Sequence, residues 1–214
     1  MSLSVQNTSR IFSGHDSLRK GHTAPGAYLP DGGFVPWEEC HADLCGRGGT
    51  ELEHADVPDG SCLVIPEGIV SVGTSAFRFS SLSAAVFPFS LRGIGFSAFG
   101  GSSVKQVSFP PGLCDIAACA FSGSRLVSVY LPAGIIGIGG EAFAECRDLV
   151  SVSCDPLTGE VLGGDGIFAD CVSLVSVSVP PITGRAHFRG CRSGLSVNVC
   201  GGGDDFFADE LPFA

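Results

Sequence analysis

The chain has 214 residues, of which 16% are charged and 44% apolar, and its formal net charge is −10. That balance excludes a chain made for nucleic acid or for an anionic membrane surface, both of which need a basic stripe that displaces counterions. The excess is uneven: residues 1–60 hold 4 basic and 9 acidic side chains, residues 61–200 hold 8 and 9, and residues 201–214 hold none and 4, so a nearly neutral body lies between acidic flanks.

The first 15 residues lack the apolar run of a secretory signal, which makes the cytoplasm the expected compartment. Arg10, Arg19 and Lys20, with only Asp16 as an acid nearby, resemble a mitochondrial presequence, although Gly14, Pro25 and Gly26 interrupt any helix there. Residues 1–60 are expected as an irregular, partly disordered segment and cap. Within them Tyr28-Leu29-Pro30-Asp31-Gly32 and Asp56-Val57-Pro58-Asp59-Gly60 echo a strand-and-corner pattern that is complete further on. Trp37 then reads as a side chain covering the first coil. Cys40, His41, Cys45, His54 and Cys62 could supply four nitrogen and sulfur ligands to zinc, or a Cys–His nucleophile pair. Cys40 and Cys45 are spaced more widely than a C-x2-C knuckle, and no oxyanion hole is visible, so neither metal, cofactor nor catalysis is expected.

From Cys62 onward a 22-residue block recurs. Ala76-Phe77, Ala98-Phe99, Ala120-Phe121 and Ala142-Phe143 are in register, as are Pro66, Pro88, Pro110 and Pro132. A short fixed period means a solenoid, in which each coil buries its apolar side only against its neighbours. Units begin near Cys62, Leu82, Val104, Leu126, Leu149 and Leu174, with a frayed copy near Leu195. Each opens with period-two alternation, as in Val129-Tyr130-Leu131 or Val177-Ser178-Val179, which predicts a strand buried on one side. Proline ends the strand, and glycine follows at a turn spacing in Pro66-Glu67-Gly68 and Pro132-Ala133-Gly134. A second short apolar piece, such as Ile135-Ile136-Gly137-Ile138, leads into the Ala-Phe pair. The Ala is expected to let coils approach closely. Phe77, Phe99, Phe121, Phe143, Phe168 and Phe188 are expected to stack in one column.

Two departures from the period carry information. The step from Phe143 to Phe168 is 25 residues, so Asp155-Pro156-Leu157-Thr158-Gly159-Glu160 should bulge as a corner loop. Three residues past each core Phe stand Ser80, Ser102, Ser124, Cys146, Cys171 and Cys191. A slot that accepts hydroxyl or thiol selects small, weakly polar filler, so these cysteines are expected as reduced structural thiols.

The pattern L-x-x-V-x-[FL]-P-x-G-[IL]-x-x-I-G-x-x-A-F-x-x-[SC] resembles the BspA-type leucine-rich repeats of bacteria and protists, over about residues 62–200. The resemblance implies a right-handed leucine-rich-repeat superhelix, a β-rich solenoid of about six 20–25-residue coils at residues 61–200, with a sheet along one side. It also implies that a cell-surface adhesion protein is one possible function, since some members are adhesins. No catalytic residue carries over.

The outward positions of the strands form an uncharged, Ser-rich ladder, from Ala84 and Val86 through Gln106, Ser108, Ser128, Tyr130, Ser151, Ser153, Ser176 and Ser178 to Ser196 and Asn198. Val86 and Tyr130 are the expected anchors for a protein partner, with Gln106, Ser108, Ser128, Ser153 and Ser178 around them. Residues 201–214 form an acidic-aromatic tail in which Phe206, Phe207 and Phe213 could dock on a partner or plug the last coil. The expected function is therefore a non-enzymatic protein-interaction or scaffold module, as a subunit of a larger assembly. Adhesion is the alternative, and a zinc protein or Cys/His enzyme the remote one.

Overall fold

The computed structural model describes residues 24–45, 49–182 and 186–199. Each coil contributes one strand to a long side: β5 (Cys62–Val64), β7 (Ala84–Val86), β9 (Gln106–Ser108), β11 (Ser128–Leu131), β13 (Ser151–Cys154), β15 (Ser176–Val179) and β16 (Ser196–Val199). The frayed seventh copy is thus a full strand. Pairing is parallel and in register, Ser128 opposite Ser151 and Ser151 opposite Ser176. The pairing breaks once, between β9 and β11, so this side is two sheets placed end to end.

The second apolar piece of each unit is also a strand: β6 (Ser71–Val72), β8 (Gly93–Ile94), β10 (Asp115–Ile116), β12 (Gly137–Ile138) and β14 (Leu162–Gly163). These pair in parallel, Asp115 with Gly93 and with Gly137, exactly one repeat apart in sequence. Their inward residues Val72, Ile94, Ile116 and Ile138 are buried. The core lies between the two sheets.

The Ala-Phe segment closes the coil on a third side through two left-handed residues. One precedes the Ala-Phe position (Ser75, Ser97, Cys119, Glu141, Gly166, Ala186) and one follows two residues after Phe (Phe79, Gly101, Gly123, Glu145, Asp170, Gly190). Left-handed backbone reverses the chain within a few residues at a cost of about 1–2 kcal/mol for each non-glycine residue. The two ladders persist because their backbone N–H groups bond the next coil, as Cys119 N–H does with Gly140 O at 3.0 Å and Gly123 N–H with Ala144 O at 2.8 Å.

The phenylalanines between these ladders stack face to face in one column. Centroids lie 5.1 Å apart from Phe77 to Phe99, 5.1 Å to Phe121, 5.4 Å to Phe143, 5.5 Å to Phe168 and 5.7 Å to Phe188. Phe87 and Phe109 add a shorter stack beside it, 5.9 Å apart, each meeting the main column edge-on.

Close approach between coils is the work of glycine. A methyl group at Gly95 would sit 2.7 Å from the Gly73 carbonyl carbon and 2.8 Å from Val72 O. Gly139 is pressed in the same way against Ala118, and Gly164 against Gly140.

At the N-terminal end both sheets finish in antiparallel strands. On the long side β1 (Gly26–Tyr28) pairs with β5, and β2 (Phe34–Pro36) pairs with β1. On the short side β4 (Glu51–His54) pairs in parallel with β6 and carries β3 (Asp43–Cys45) antiparallel to it. Trp37, in a 3-10 turn at Trp37–Glu39, packs against the core. At the other end β16 is the last strand of its sheet.

Candidate interaction surface

The outward side of the long sheets divides at the break after β9. In the first part Cys62, Val64, Ala84 and Val86 are all buried and form a small apolar cluster with Tyr28. Val86 is 0% exposed and Ser108 4%, which corrects the expectation that either is a surface anchor. For Val86 the reason is tertiary: β1 pairs with β5 and brings Tyr28 onto this side, so a position that faces away from the main core is still covered. Gln106 is exposed.

In the second part the ladder is open. Ser128, Ser153, Ser176, Ser196 and Asn198 are exposed, and Tyr130, Ser151 and Ser178 are half-buried. Parallel pairing aligns these side chains in rows about 4.8 Å apart across the strands. Their inward neighbours Val129, Val152 and Val177 are buried, so the strands are held by the core and the hydroxyl rows are presented on a fixed backbone. None of the outward positions of β11, β13, β15 or β16 is charged.

The insertion at 155–160 is tied to this part of the sheet. Tyr130 donates its phenol to Asp155 Oδ2 at 3.0 Å, and the other carboxylate oxygen accepts the Leu157 N–H at 2.9 Å. Leu157 is left 85% exposed at the tip, while Thr158 turns inward. Phe206, Phe207 and Phe213 lie outside the described residues.

The N-terminal Cys and His residues do not converge. Among the described residues no three His, Cys, Asp or Glu side chains are grouped as metal ligands. Cys40 is buried with its thiol 3.5 Å from Pro36 O, whereas Cys62 belongs to the outward cluster with Tyr28. His41 and His54 both face Asp56, at 3.8 Å and 3.2 Å.

The Ser/Cys slot does more than fill space. Cys146 donates its thiol to Phe121 O at 3.2 Å, Cys171 to Phe143 O at 3.1 Å and Cys191 to Phe168 O at 3.2 Å. Each thiol thus binds the carbonyl of the core Phe one coil earlier. The shorter Ser102 hydroxyl in the same slot makes no hydrogen bond among the described residues. Burial pushes the Cys191 thiol up to about 11 and that of Cys62 up to about 11. The hydrogen bond with Cys146, followed by burial, raises that of Cys171. These are thiols held protonated, the opposite of an activated nucleophile.

No helix among the described residues is long and apolar enough to cross a membrane. The family model for the BspA type leucine rich repeat region matches residues 70–194 in six copies. The crystal structure of a leucine rich repeat protein from T. pallidum is 25% identical, with a TM-score of 0.57, over 77% of this chain and 85% of that one. The pneumococcal vaccine antigen PcpA is 22% identical, with a TM-score of 0.59, over 73% of this chain and 46% of that one. No curated protein matches the sequence.

Proposed function

The chain belongs to the BspA-type leucine-rich repeat family, and from that premise we propose that it is a non-enzymatic protein-interaction module, a scaffold subunit of a larger assembly. The surface we assign to partner binding is the outward side of β11, β13, β15 and β16. One observation carries the reading: this part of the sheet is open and uncharged, while the equivalent part in the first coils is covered by Tyr28. A regular solenoid sheet offers extended area, and half-exposed Tyr130 supplies an aromatic anchor on it. Ser153 is paired with it and Ser128 lies on the same strand, with Ser178 further along the sheet and Gln106 beyond the break on β9.

The test is capture from the native cell with the wild-type chain and with Ser153→Arg/Ser176→Arg. A reproducible partner lost in the double variant supports the reading. Equal recovery by both chains refutes this surface.

Adhesion at a cell surface is the second reading, favoured by the likeness in fold to a vaccine antigen. Labelling of intact cells with an impermeant reagent separates the two, since the scaffold reading places the chain in the cytoplasm.

A further inference from the structure

The corner that leads into β11, β13 and β15 carries a pattern that neither the repeat nor the core explains. Val127, Val150 and Val175 stand one per coil at 42%, 43% and 44% exposed, just before each strand. They are joined along the rod by the ladder, Val150 N–H to Val127 O at 2.9 Å and Val175 N–H to Val150 O at 2.9 Å. The core gains nothing from them, because Leu126, Leu149 and Leu174 beside them already fill it.

Exposed cations interleave with these valines. Arg125 and Arg147 stand two and three residues before Val127 and Val150, Arg192 stands in the next coil beyond Val175, and Lys105 accepts the Val127 N–H on its carbonyl at 3.1 Å. None of the four has an ion pair among the described residues. Residues 61–200 hold 8 basic side chains, and half of them are on this ridge, with Asp148 beside Arg147 in the chain. Glu145 is separated from Arg147 by buried Cys146, whereas the Asp170 carboxylate faces Gly190 and Cys191 in the coil that carries Arg192.

Unpaired cations spaced by exposed valines complement a strand-like segment in which carboxylates alternate with large apolar side chains. We propose that this ridge docks such an acidic–apolar extended peptide from a partner protein. The proposal rests on the reading that the strand side of coils 4–7 is the interaction surface, and adds the chemistry of what lies at its edge. At about 4.8 Å per strand the ridge from Lys105 to Arg192 is roughly 19 Å long, and eight extended residues reach roughly 26 Å. A polynucleotide fits less well, since no aromatic platform alternates with the cations and the body as a whole is not basic.

The probe is the fluorescein-labelled peptide DFELDFEL, titrated into the full chain and followed by anisotropy. Saturable binding is expected, weakened roughly tenfold in Arg125→Glu/Arg147→Glu, weakened in Val150→Asp, and reduced by added salt. A peptide with Lys at every acidic position should not bind. Affinity unchanged by the double reversal overturns the proposal, and so does tighter binding of a labelled oligothymidine to the same residues. Peptide binding gained only in a chain carrying Asp204→Asn, Asp205→Asn, Asp209→Asn and Glu210→Gln overturns an external partner and assigns the ridge to the chain's own acidic segment. If the peptide fails while Ser153→Arg/Ser176→Arg still abolishes capture, the ridge is wrong and the broader surface stands.

Discussion

Tyr130 donates a hydrogen bond from its phenol to Asp155, 25 residues further along the chain and one coil away, at 3.0 Å. The contact fixes the irregular loop of the array to the middle of its open sheet. Tyr130→Phe should leave the ring packed and remove this bond, costing about 0.5–1.5 kcal/mol. Amide exchange at 155–160 should speed up in that variant while β11 and β13 keep their protection. Unchanged exchange in the loop would show that the hydrogen bond does not hold it.

The phenylalanine column carries the cohesion between coils. Phe121 is fully buried and stacks on Phe99 and Phe143 at 5.1 Å and 5.4 Å, so Phe121→Ala should destabilise the fold by about 3–5 kcal/mol. Chemical denaturation measures this directly. A loss below about 1 kcal/mol would mean that neighbouring coils close the gap.

Glycine at the close-approach positions should be as unforgiving as the core. Gly139→Ala places a methyl against Ala118 in the neighbouring coil and should cost about 1–3 kcal/mol through overpacking. Gly123 differs: its surroundings are open and its φ is +69°, so Gly123→Ala is opposed only by left-handed backbone and should cost about 1 kcal/mol. Thermal melts of the two variants should rank in that order.

The raised thiols set a pH dependence. Cys62 and Cys191 move from the ordinary value of 9.0 to about 11 on folding, so the folded state disfavours their thiolates. Their contribution is constant below pH 9 and is lost as pH rises from 9.0 towards about 11, because the unfolded chain ionises first. The melting temperature should be flat with respect to these groups from pH 7 to 8.5 and fall above that. Cys62→Ser/Cys191→Ser should lessen the fall; an identical alkaline decline in that variant would remove the thiols as its cause.

Much of this was legible in the chain because a repeat makes each position vote several times. Phe77 through Phe188 share one register, and the structure stacks them in one file. The Ser/Cys slot was legible as filler, but its hydrogen bonds were not, since the accepting Phe carbonyls lie a coil away. The Ala of Ala-Phe is buried where coils meet, its carbonyl accepting the neighbouring Phe N–H as Ala120 O does at 2.7 Å, and Gly95 and Gly139 also press on neighbouring backbone. Strands of two residues such as β8 and β10 are too short to show an alternation, so their sheet emerges only from pairing. Left-handed Ser75, Glu141 and Asp170 gave no signal, because only the ladder between coils holds them there. Val86 is misread for a related reason: facing outward on a strand is local, whereas the cap that covers its side folds in from sequence far upstream.

Hydrogen exchange on the complex with a captured partner tests the central assignment most directly. The prediction is added protection at Ser128–Leu131, Ser151–Cys154 and Ser176–Val179, with no change along Gly93–Ile94, Asp115–Ile116 and Gly137–Ile138. Protection confined to the short-strand sheet would contradict it, and would move the working face of the rod to its opposite side.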